Sequence, residues 1–259
     1  MDVVFLHANG FNARTYRSIL APLADRLRIL APDMRGHGAT SLPVESPGRL
    51  DWYDLRDDLT AFLAALDLPP AVLAGHSMGA TTSLLAAAQT PGRVHALALF
   101  DPVILSPAVA SALNGPLHDS ALAQGALRRR NSFPSRGAAF EAYRGRGAFR
   151  SWPDEMLADY VAAAFRDTPG GAVTLVCAPE WEASNYAAQG HDSWAALHAI
   201  RRPIRILRAE KDSTARLDEG LERLIAGGQV RVETIAGTTH FLPMERPELV
   251  REAILEAAA

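Results

Sequence analysis

Residues 75–79 read Gly-His-Ser-Met-Gly, a G-x-S-x-G pentapeptide, with an apolar run at 71–74 before it and a helix-like stretch at 80–89 after it. A serine on a sharp strand-to-helix turn has strained backbone geometry, so the flanking positions Gly75 and Gly79 must be small. The turn lifts the Ser77 hydroxyl clear of the sheet at a helix N-terminus, where negative charge is favoured. This context predicts a nucleophilic Ser77 rather than a serine that only caps the helix.

A nucleophilic serine needs a base, and the base needs an orienting acid. Two late segments, at 203–209 and 230–235, have the apolar or alternating pattern of strands. Asp212 follows the first of them and His240 follows the second. We predict that His240 takes the Ser77 proton and returns it to the leaving group, and that Asp212 fixes the tautomer of His240.

Five motifs, in this order, resemble those of the α/β-hydrolase superfamily. They are Leu6-His7-Ala8-Asn9-Gly10-Phe11, Pro32-Asp33-Met34-Arg35-Gly36-His37-Gly38, the pentapeptide around Ser77, Glu210-Lys211-Asp212, and Thr239-His240-Phe241 with Glu245-Arg246-Pro247-Glu248 behind it. The resemblance covers residues 3–101 and 203–257. It implies a triad of Ser77, His240 and Asp212. Asp101 is a second candidate for the acid, because some relatives supply it from the strand at 94–100.

The resemblance also implies an oxyanion hole built from backbone N–H groups. One donor is Met78, the residue after the nucleophile. Counting from His7 puts the second donor at Asn9. Ala8 stands where the superfamily usually has glycine, and an alternative register makes Phe11 the donor.

Strand and helix patterns alternate along most of the chain. The strands are predicted at 3–7, 28–31, 71–74, 94–100, 203–209 and 230–235, and the helices at 15–27, 51–68, 80–89 and from Pro247 onward. This alternation predicts an α/β fold, a mostly parallel sheet of about six strands with helices on both faces. Superfamily members usually have two further strands before the first one here, so we expect the sheet to lack an antiparallel edge.

The alternation stops between residues 102 and 202, where prolines break the chain into short helical pieces, the best of them at 154–165. The resemblance implies a helical cap here, inserted into a core of residues 1–101 and 203–259 and lying over Ser77. Arg128-Arg129-Arg130 and other arginines in this insertion could bind an anionic substrate, although a solvated surface is the commoner role of such a cluster.

The composition excludes several classes of function. A formal net charge of −3 gives no reason to expect a nucleic-acid or membrane partner. The one cysteine, Cys177, fits a reducing compartment, and we expect a cytoplasmic protein. No nucleotide-binding or metal-ligand pattern occurs in the sequence, so neither a cofactor nor a metal is expected.

These observations predict a serine hydrolase that cleaves an ester, thioester or similar acyl bond of a small molecule. The same triad also serves carbon–carbon bond hydrolases, lactonases, cofactor-free perhydrolases and hydroxynitrile-lyase-like enzymes. A ligand receptor that turns over slowly is a further alternative. The oligomeric state has no signature in the sequence.

Overall fold

The structure is a computed structural model that describes residues 1–67, 69–113, 115–218 and 220–259. Its strands are β1 (Asp2–Leu6), β2 (Arg28–Leu30), β3 (Ala71–His76), β4 (Val94–Phe100), β5 (Ser132–Phe133), β6 (Phe165–Asp167), β7 (Val173–Leu175), β8 (Ile204–Ala209) and β9 (Val230–Ile235). Six of them form one sheet in the order β2-β1-β3-β4-β8-β9, and every neighbouring pair is parallel. The predicted parallel sheet of about six strands is confirmed.

Twelve α-helices accompany these strands. They are α1 (Arg17–Leu20), α2 (Tyr53–Ala65), α3 (Met78–Gln89), α4 (Pro107–Ala112), α5 (Ala121–Leu127), α6 (Arg136–Tyr143), α7 (Asp154–Ala164), α8 (Pro179–Ala187), α9 (Ser193–Ala199), α10 (Leu221–Ala226), α11 (Leu242–Glu245) and α12 (Pro247–Ala257) among the described residues. Short 3₁₀ turns lie at Ala13–Tyr16, Ala21–Leu23, Pro91–Arg93 and Gly147–Phe149. None of the helices in the described part of the chain has the length and apolar character that a bilayer span requires.

The sheet is buried on both faces, as a parallel sheet requires. Alternate residues of a strand point to opposite faces. Phe5 and Val72 accordingly belong to the apolar cluster that includes α12, whereas Val4 and Leu73 belong to the cluster that includes α2 and α3. The continuous apolar runs in the sequence are therefore strands covered by helices on each side.

Two predicted helices differ from the observed ones. The segment at 15–27 is not one helix but α1 flanked by 3₁₀ turns, with Pro22 in the second of them. A proline lacks the N–H that a continuing helix needs at that position. The helix predicted at 51–68 is observed as α2 (Tyr53–Ala65), and Leu68 lies outside the described residues.

The insertion between β4 and β8 contains helices α4 to α9, and it also contains a small sheet. Strands β5, β7 and β6 pair antiparallel in that order. The predicted helix at 154–165 is α7 (Asp154–Ala164), which ends where Phe165 begins β6. Strands of two or three residues are too short to show a periodicity, so the sequence pattern predicts helical pieces only.

Candidate active site

Ser77 lies on the sharp turn between β3 and α3, at the carboxyl edge of the sheet. Its φ of 55° and ψ of −119° are strained values for a residue with a side chain. A Cβ at Gly75 would lie 2.7 Å from the backbone carbon of Gly79, and one at Gly79 would lie 2.3 Å from the carbonyl oxygen of Leu6. Only glycine fits at either position, because backbone atoms of the elbow and of β1 occupy the space.

His240 follows β9 and contacts Ser77 directly. Its Nε2 lies 3.0 Å from the Ser77 Oγ, which is hydrogen-bonding distance. Its Nδ1 lies 2.6 Å from Oδ2 of Asp101. The three side chains form one hydrogen-bonded chain from carboxylate to hydroxyl, the arrangement that general-base activation of a serine requires.

The acid in contact with His240 is Asp101, not Asp212. Asp101 directly follows β4, the strand next to β3, so its side chain emerges at the same edge beside Ser77. Asp212 follows β8, one strand farther away, and it is exposed and makes no hydrogen bond within the described residues. The turn after β8 supplies donors to the acid rather than the acid itself.

Those donors hold the buried carboxylate of Asp101 in its charged form. Oδ1 accepts hydrogen bonds from the Ser213 hydroxyl at 2.6 Å and from the Ala209 N–H at 2.9 Å, and Oδ2 accepts one from the Thr214 N–H at 3.0 Å. Burial opposes ionisation, but the hydrogen bonds and the His240 contact outweigh it, so the pKa of Asp101 lies below its ordinary value. An ionised acid at this position can stabilise an imidazolium.

Backbone N–H groups converge on the same edge of the sheet. Met78 is the first residue of α3, where an N–H has no partner within the helix. In the turn after β1, the N–H of Ala8 donates to the Tyr16 hydroxyl at 3.1 Å and that of Gly10 donates to Nε2 of His37 at 3.0 Å.

The remaining N–H groups of this turn distinguish between Asn9 and Phe11, the two residues predicted as the second oxyanion donor. The N–H of Phe11 donates to the carbonyl of Ala8 at 3.2 Å. Within the described residues, the N–H of Asn9 has no hydrogen-bond acceptor. Asn9 is therefore the residue of the turn whose N–H remains available to a ligand.

His76 bridges the oxyanion turn and the base, a connection that the sequence does not predict. Its Nδ1 accepts a hydrogen bond from the Tyr16 hydroxyl at 2.7 Å, while its Nε2–H donates to the backbone oxygen of His240 at 2.8 Å. Burial lowers the pKa of His76 to about 3, so the ring is neutral and can accept and donate at once. The sequence shows only that a histidine precedes Ser77, because Tyr16 and His240 are distant along the chain.

His7 and His37 hold the loops around the turn. His37 Nδ1–H donates to the carbonyl of Arg35 at 2.9 Å, and burial lowers its pKa to about 3. Nε2 of His7 accepts from the Met34 N–H at 2.9 Å. Both histidines therefore have a structural role in the loops around the turn.

The insertion contributes an aromatic wall near the triad. Trp152 packs edge-on against Phe11 with ring centres 5.3 Å apart and lies 5.7 Å from Phe241, the neighbour of His240. Arg129, a member of the arginine cluster, is paired with Glu182 at 2.9 Å. Its charge is already neutralised by a carboxylate of the same insertion.

Comparisons with known proteins agree with this architecture. A model of the alpha/beta hydrolase family matches residues 3–253. The 2-(acetamidomethylene)succinate hydrolase of Mesorhizobium japonicum is 24% identical over 256 residues, which cover 97% of this chain and 86% of that protein.

Solved structures are similar over almost the whole chain. The crystal structure of E-2-(acetamidomethylene)succinate hydrolase superposes with a TM-score of 0.79 at 22% identity, covering 100% of this chain and 92% of the other. A thermophilic esterase from Thermogutta terrifontis superposes with a TM-score of 0.68 at 24% identity, covering 99% of this chain and 88% of the other. The chain therefore belongs to the alpha/beta hydrolase family and is an enzyme with hydrolase activity.

Proposed function

We propose that the protein is a serine hydrolase that cleaves an ester, thioester or related acyl bond of a small molecule without a cofactor. The observation that carries this proposal is the continuous chain of contacts, 3.0 Å from Ser77 Oγ to His240 Nε2 and 2.6 Å from His240 Nδ1 to Asp101 Oδ2. A hydroxyl in such a chain can lose its proton as it attacks a carbonyl carbon.

In the acylation step, Ser77 Oγ forms a bond to the carbonyl carbon and its proton passes to Nε2 of His240. Asp101 stabilises the resulting imidazolium through Nδ1–H. The oxyanion accepts hydrogen bonds from the N–H groups of Met78 and Asn9, each of which lowers the barrier by about 3 kcal/mol. His240 then protonates the leaving group as its bond to carbon breaks.

In the deacylation step, water takes the place of the leaving group. His240 accepts a proton from water as the water oxygen attacks the acyl carbon, and the same two N–H groups hold the second oxyanion. The bond to Ser77 Oγ breaks, His240 returns the proton to the serine, and the carboxylic acid leaves.

The names of similar proteins support an acyl bond as the target. They include an esterase and a thioesterase domain from the curacin biosynthetic pathway. The succinate unit in the name of the Mesorhizobium enzyme is not part of the proposed substrate. Arg129 and Arg49 are already paired with Glu182 and Asp54, so neither presents an unneutralised charge to a dicarboxylate.

We also propose that the insertion, residues 102–202, is a lid over the site. Ser77 is only 6% exposed, and the Trp152 ring closes against Phe11 above the oxyanion turn. A surface cavity of about 510 Å³ lies between α4, α9 and α10, and no residue of the triad lines it. We expect the insertion to move as a substrate enters the site and as the product leaves it.

The test is covalent labelling with a fluorophosphonate probe. We expect the wild type to be labelled and Ser77→Ala to be unlabelled at equal folded concentration. A wild type that stays unlabelled would contradict the proposal and favour a ligand receptor. A panel of p-nitrophenyl esters of rising chain length, thioesters, lactones and a cyanohydrin then separates the reaction classes that share this triad.

A further inference from the structure

The side chain of Asn9 is anchored by a helix of the insertion. Its Nδ2 donates to the backbone oxygen of Glu182 at 2.9 Å, and its Oδ1 accepts from Nδ2 of Asn185 at 2.9 Å. Both partners belong to α8 (Pro179–Ala187). Each polar atom of the Asn9 amide is thus bonded to the insertion rather than to the core that carries Asn9.

Asn185 is itself held in one orientation. It is fully buried, and its Oδ1 accepts a hydrogen bond from Arg49, which is paired with Asp54 at 2.8 Å. Its backbone oxygen accepts from the Trp52 indole N–H at 3.0 Å. Because Oδ1 is bound to a guanidinium, the Asn185 amide cannot flip, and its NH₂ group must point at Asn9.

The same helix packs closely against the turn. A Cβ at Gly10 would lie 2.7 Å from Oε1 of Glu182, and one at Gly36 would lie 2.3 Å from Nε1 of Trp181. The Trp181 indole N–H also donates to the carbonyl of Arg35 at 2.9 Å. Helix α8 therefore packs directly on the loops that follow β1 and β2.

We infer that Asn185 is a positioning residue for the oxyanion hole, acting through the side chain of Asn9. This inference rests on the proposed acyl-transfer function. The N–H groups of Ala8 and Gly10, on either side of Asn9, are fixed by Tyr16 and His37. The bond from Asn185 fixes the residue between them, so that its free N–H keeps the direction that an oxyanion requires. The insertion thereby completes the catalytic site as well as covering it.

The variant that tests this inference is Asn185→Asp. It keeps the size of the side chain and the acceptor for Arg49, but it replaces the NH₂ donor by an oxygen that repels Oδ1 of Asn9. The matched control is Ser184→Ala on the same helix. Ser184 also contacts Arg49, at 3.2 Å, and within the described residues it makes no hydrogen bond to Asn9.

We expect Asn185→Asp to lower kcat by about tenfold or more, as partial loss of an oxyanion donor should. The KM should stay near that of wild type. The affinity for a trifluoromethyl ketone, whose hemiketal oxygen occupies the oxyanion hole, should weaken by the same factor as kcat. Ser184→Ala should leave all three quantities unchanged. A merely structural role for Asn185 would not separate kcat from KM in this way.

A second variant covers the case in which Asn185→Asp fails to fold. Asn9→Ala keeps the backbone N–H but removes both anchors, and it should show the same loss of kcat and of trifluoromethyl ketone affinity. In the double variant the two effects should not add, because both act through one N–H. The inference is overturned if either variant, folded, keeps kcat and ketone affinity within twofold of Ser184→Ala. Absence of fluorophosphonate labelling in the wild type would instead overturn the proposed function.

Discussion

The Asp101 carboxylate lies 2.6 Å from Nδ1 of His240, while Asp212 is exposed and makes no hydrogen bond to that histidine or to any other described residue. Ser213 and Thr214, the two residues that follow Asp212, donate their hydrogen bonds to Asp101. The turn after β8 and the end of β4 are thus parts of one structure, in which the turn stabilises the acid.

This relationship predicts unequal effects of two Asp-to-Asn substitutions. Asp101→Asn should lower kcat by about 10⁴-fold, because an amide favours the wrong histidine tautomer and cannot stabilise the imidazolium. Asp212→Asn should leave kcat/KM within about twofold of wild type, as expected for an exposed side chain that makes no hydrogen bond to His240. Both are measured on a p-nitrophenyl ester, with thermal melting as the control for folding. Equal losses in the two variants would contradict the assignment of Asp101.

The nucleophile turn predicts a difference between two Gly-to-Ala substitutions. Gly79→Ala places a Cβ 2.3 Å from the Leu6 carbonyl oxygen, so we expect it to destabilise the fold by at least about 2 kcal/mol. Gly125 lies within α5 and has no atom within 4 Å of its added Cβ. Gly125→Ala should stabilise by about 0.5–1 kcal/mol through helix propensity. Urea unfolding measures both, and a Gly79→Ala protein as stable as wild type would argue against this packing.

The Tyr16 hydroxyl predicts a stability effect at a site remote in sequence from Ser77. Tyr16→Phe leaves the Ala8 N–H and the His76 Nδ1 buried without partners, and each such group costs about 1–3 kcal/mol. We also expect kcat to fall, because the oxyanion turn loses an anchor.

The control for Tyr16→Phe is Tyr53→Phe. The Tyr53 hydroxyl accepts a hydrogen bond from the Asp192 N–H in an exposed position, 3.2 Å away. Water can replace that bond, so the loss in unfolding free energy should stay below about 1 kcal/mol. A Tyr16→Phe variant no less stable than Tyr53→Phe would refute the proposed bridge.

The buried histidines predict a loss of stability below pH 6.5. Burial lowers the pKa of His37 and His76 to about 3 and that of His191 to about 4, and it lowers the pKa of His7 as well. Each remains neutral in the native state but is protonated in the unfolded chain below pH ~6.5. Their contribution to stability is therefore complete above that pH. At pH 5, the unfolding free energy is therefore lower than above pH 6.5 by about 2 kcal/mol for each of His37, His76 and His191.

His191→Phe isolates one of these groups. Phenylalanine keeps the stacking on Trp52, where the ring centres are 4.5 Å apart, but it cannot bind a proton. Between pH 6 and pH 4.5 the unfolding free energy of the variant should fall less steeply than that of wild type, by about 1 kcal/mol per pH unit. Urea unfolding at a series of pH values measures the slope. Identical slopes would mean that His191 protonates in the folded protein as readily as in the unfolded chain.

Local patterns were sufficient to predict the sheet and the position of Ser77. The apolar runs that form β3 and β4 are continuous, and the glycines around Ser77 are required by atoms only a few residues away or in the adjacent β1. Local patterns cannot decide whether Asp101 or Asp212 contacts His240, because both aspartates follow a strand. The contact depends on β4 lying next to β3, which is a property of the strand order and not of either segment.

The insertion was the least predictable part of the chain. Its strands are two or three residues long, and the contacts of Asn185 with Asn9 and Arg49 join segments more than a hundred residues apart. Side chains such as these have no periodicity or motif. Their pairing depends on where the insertion packs on the core.

The first residues of the insertion are hydrogen-bonded to the turn after β8. The N–H of Ile104 donates to the carbonyl of Thr214 at 3.0 Å, and the carbonyl of Ile104 accepts a hydrogen bond from the N–H of Arg216 at 2.9 Å. These two backbone hydrogen bonds tie the segment after Asp101 to the turn that supports it. A chimaera that exchanges residues 105–200 for those of a relative would keep Asp101 and its donors. It would lose both partners of the Asn9 side chain, Glu182 and Asn185, and would need substitutes for them.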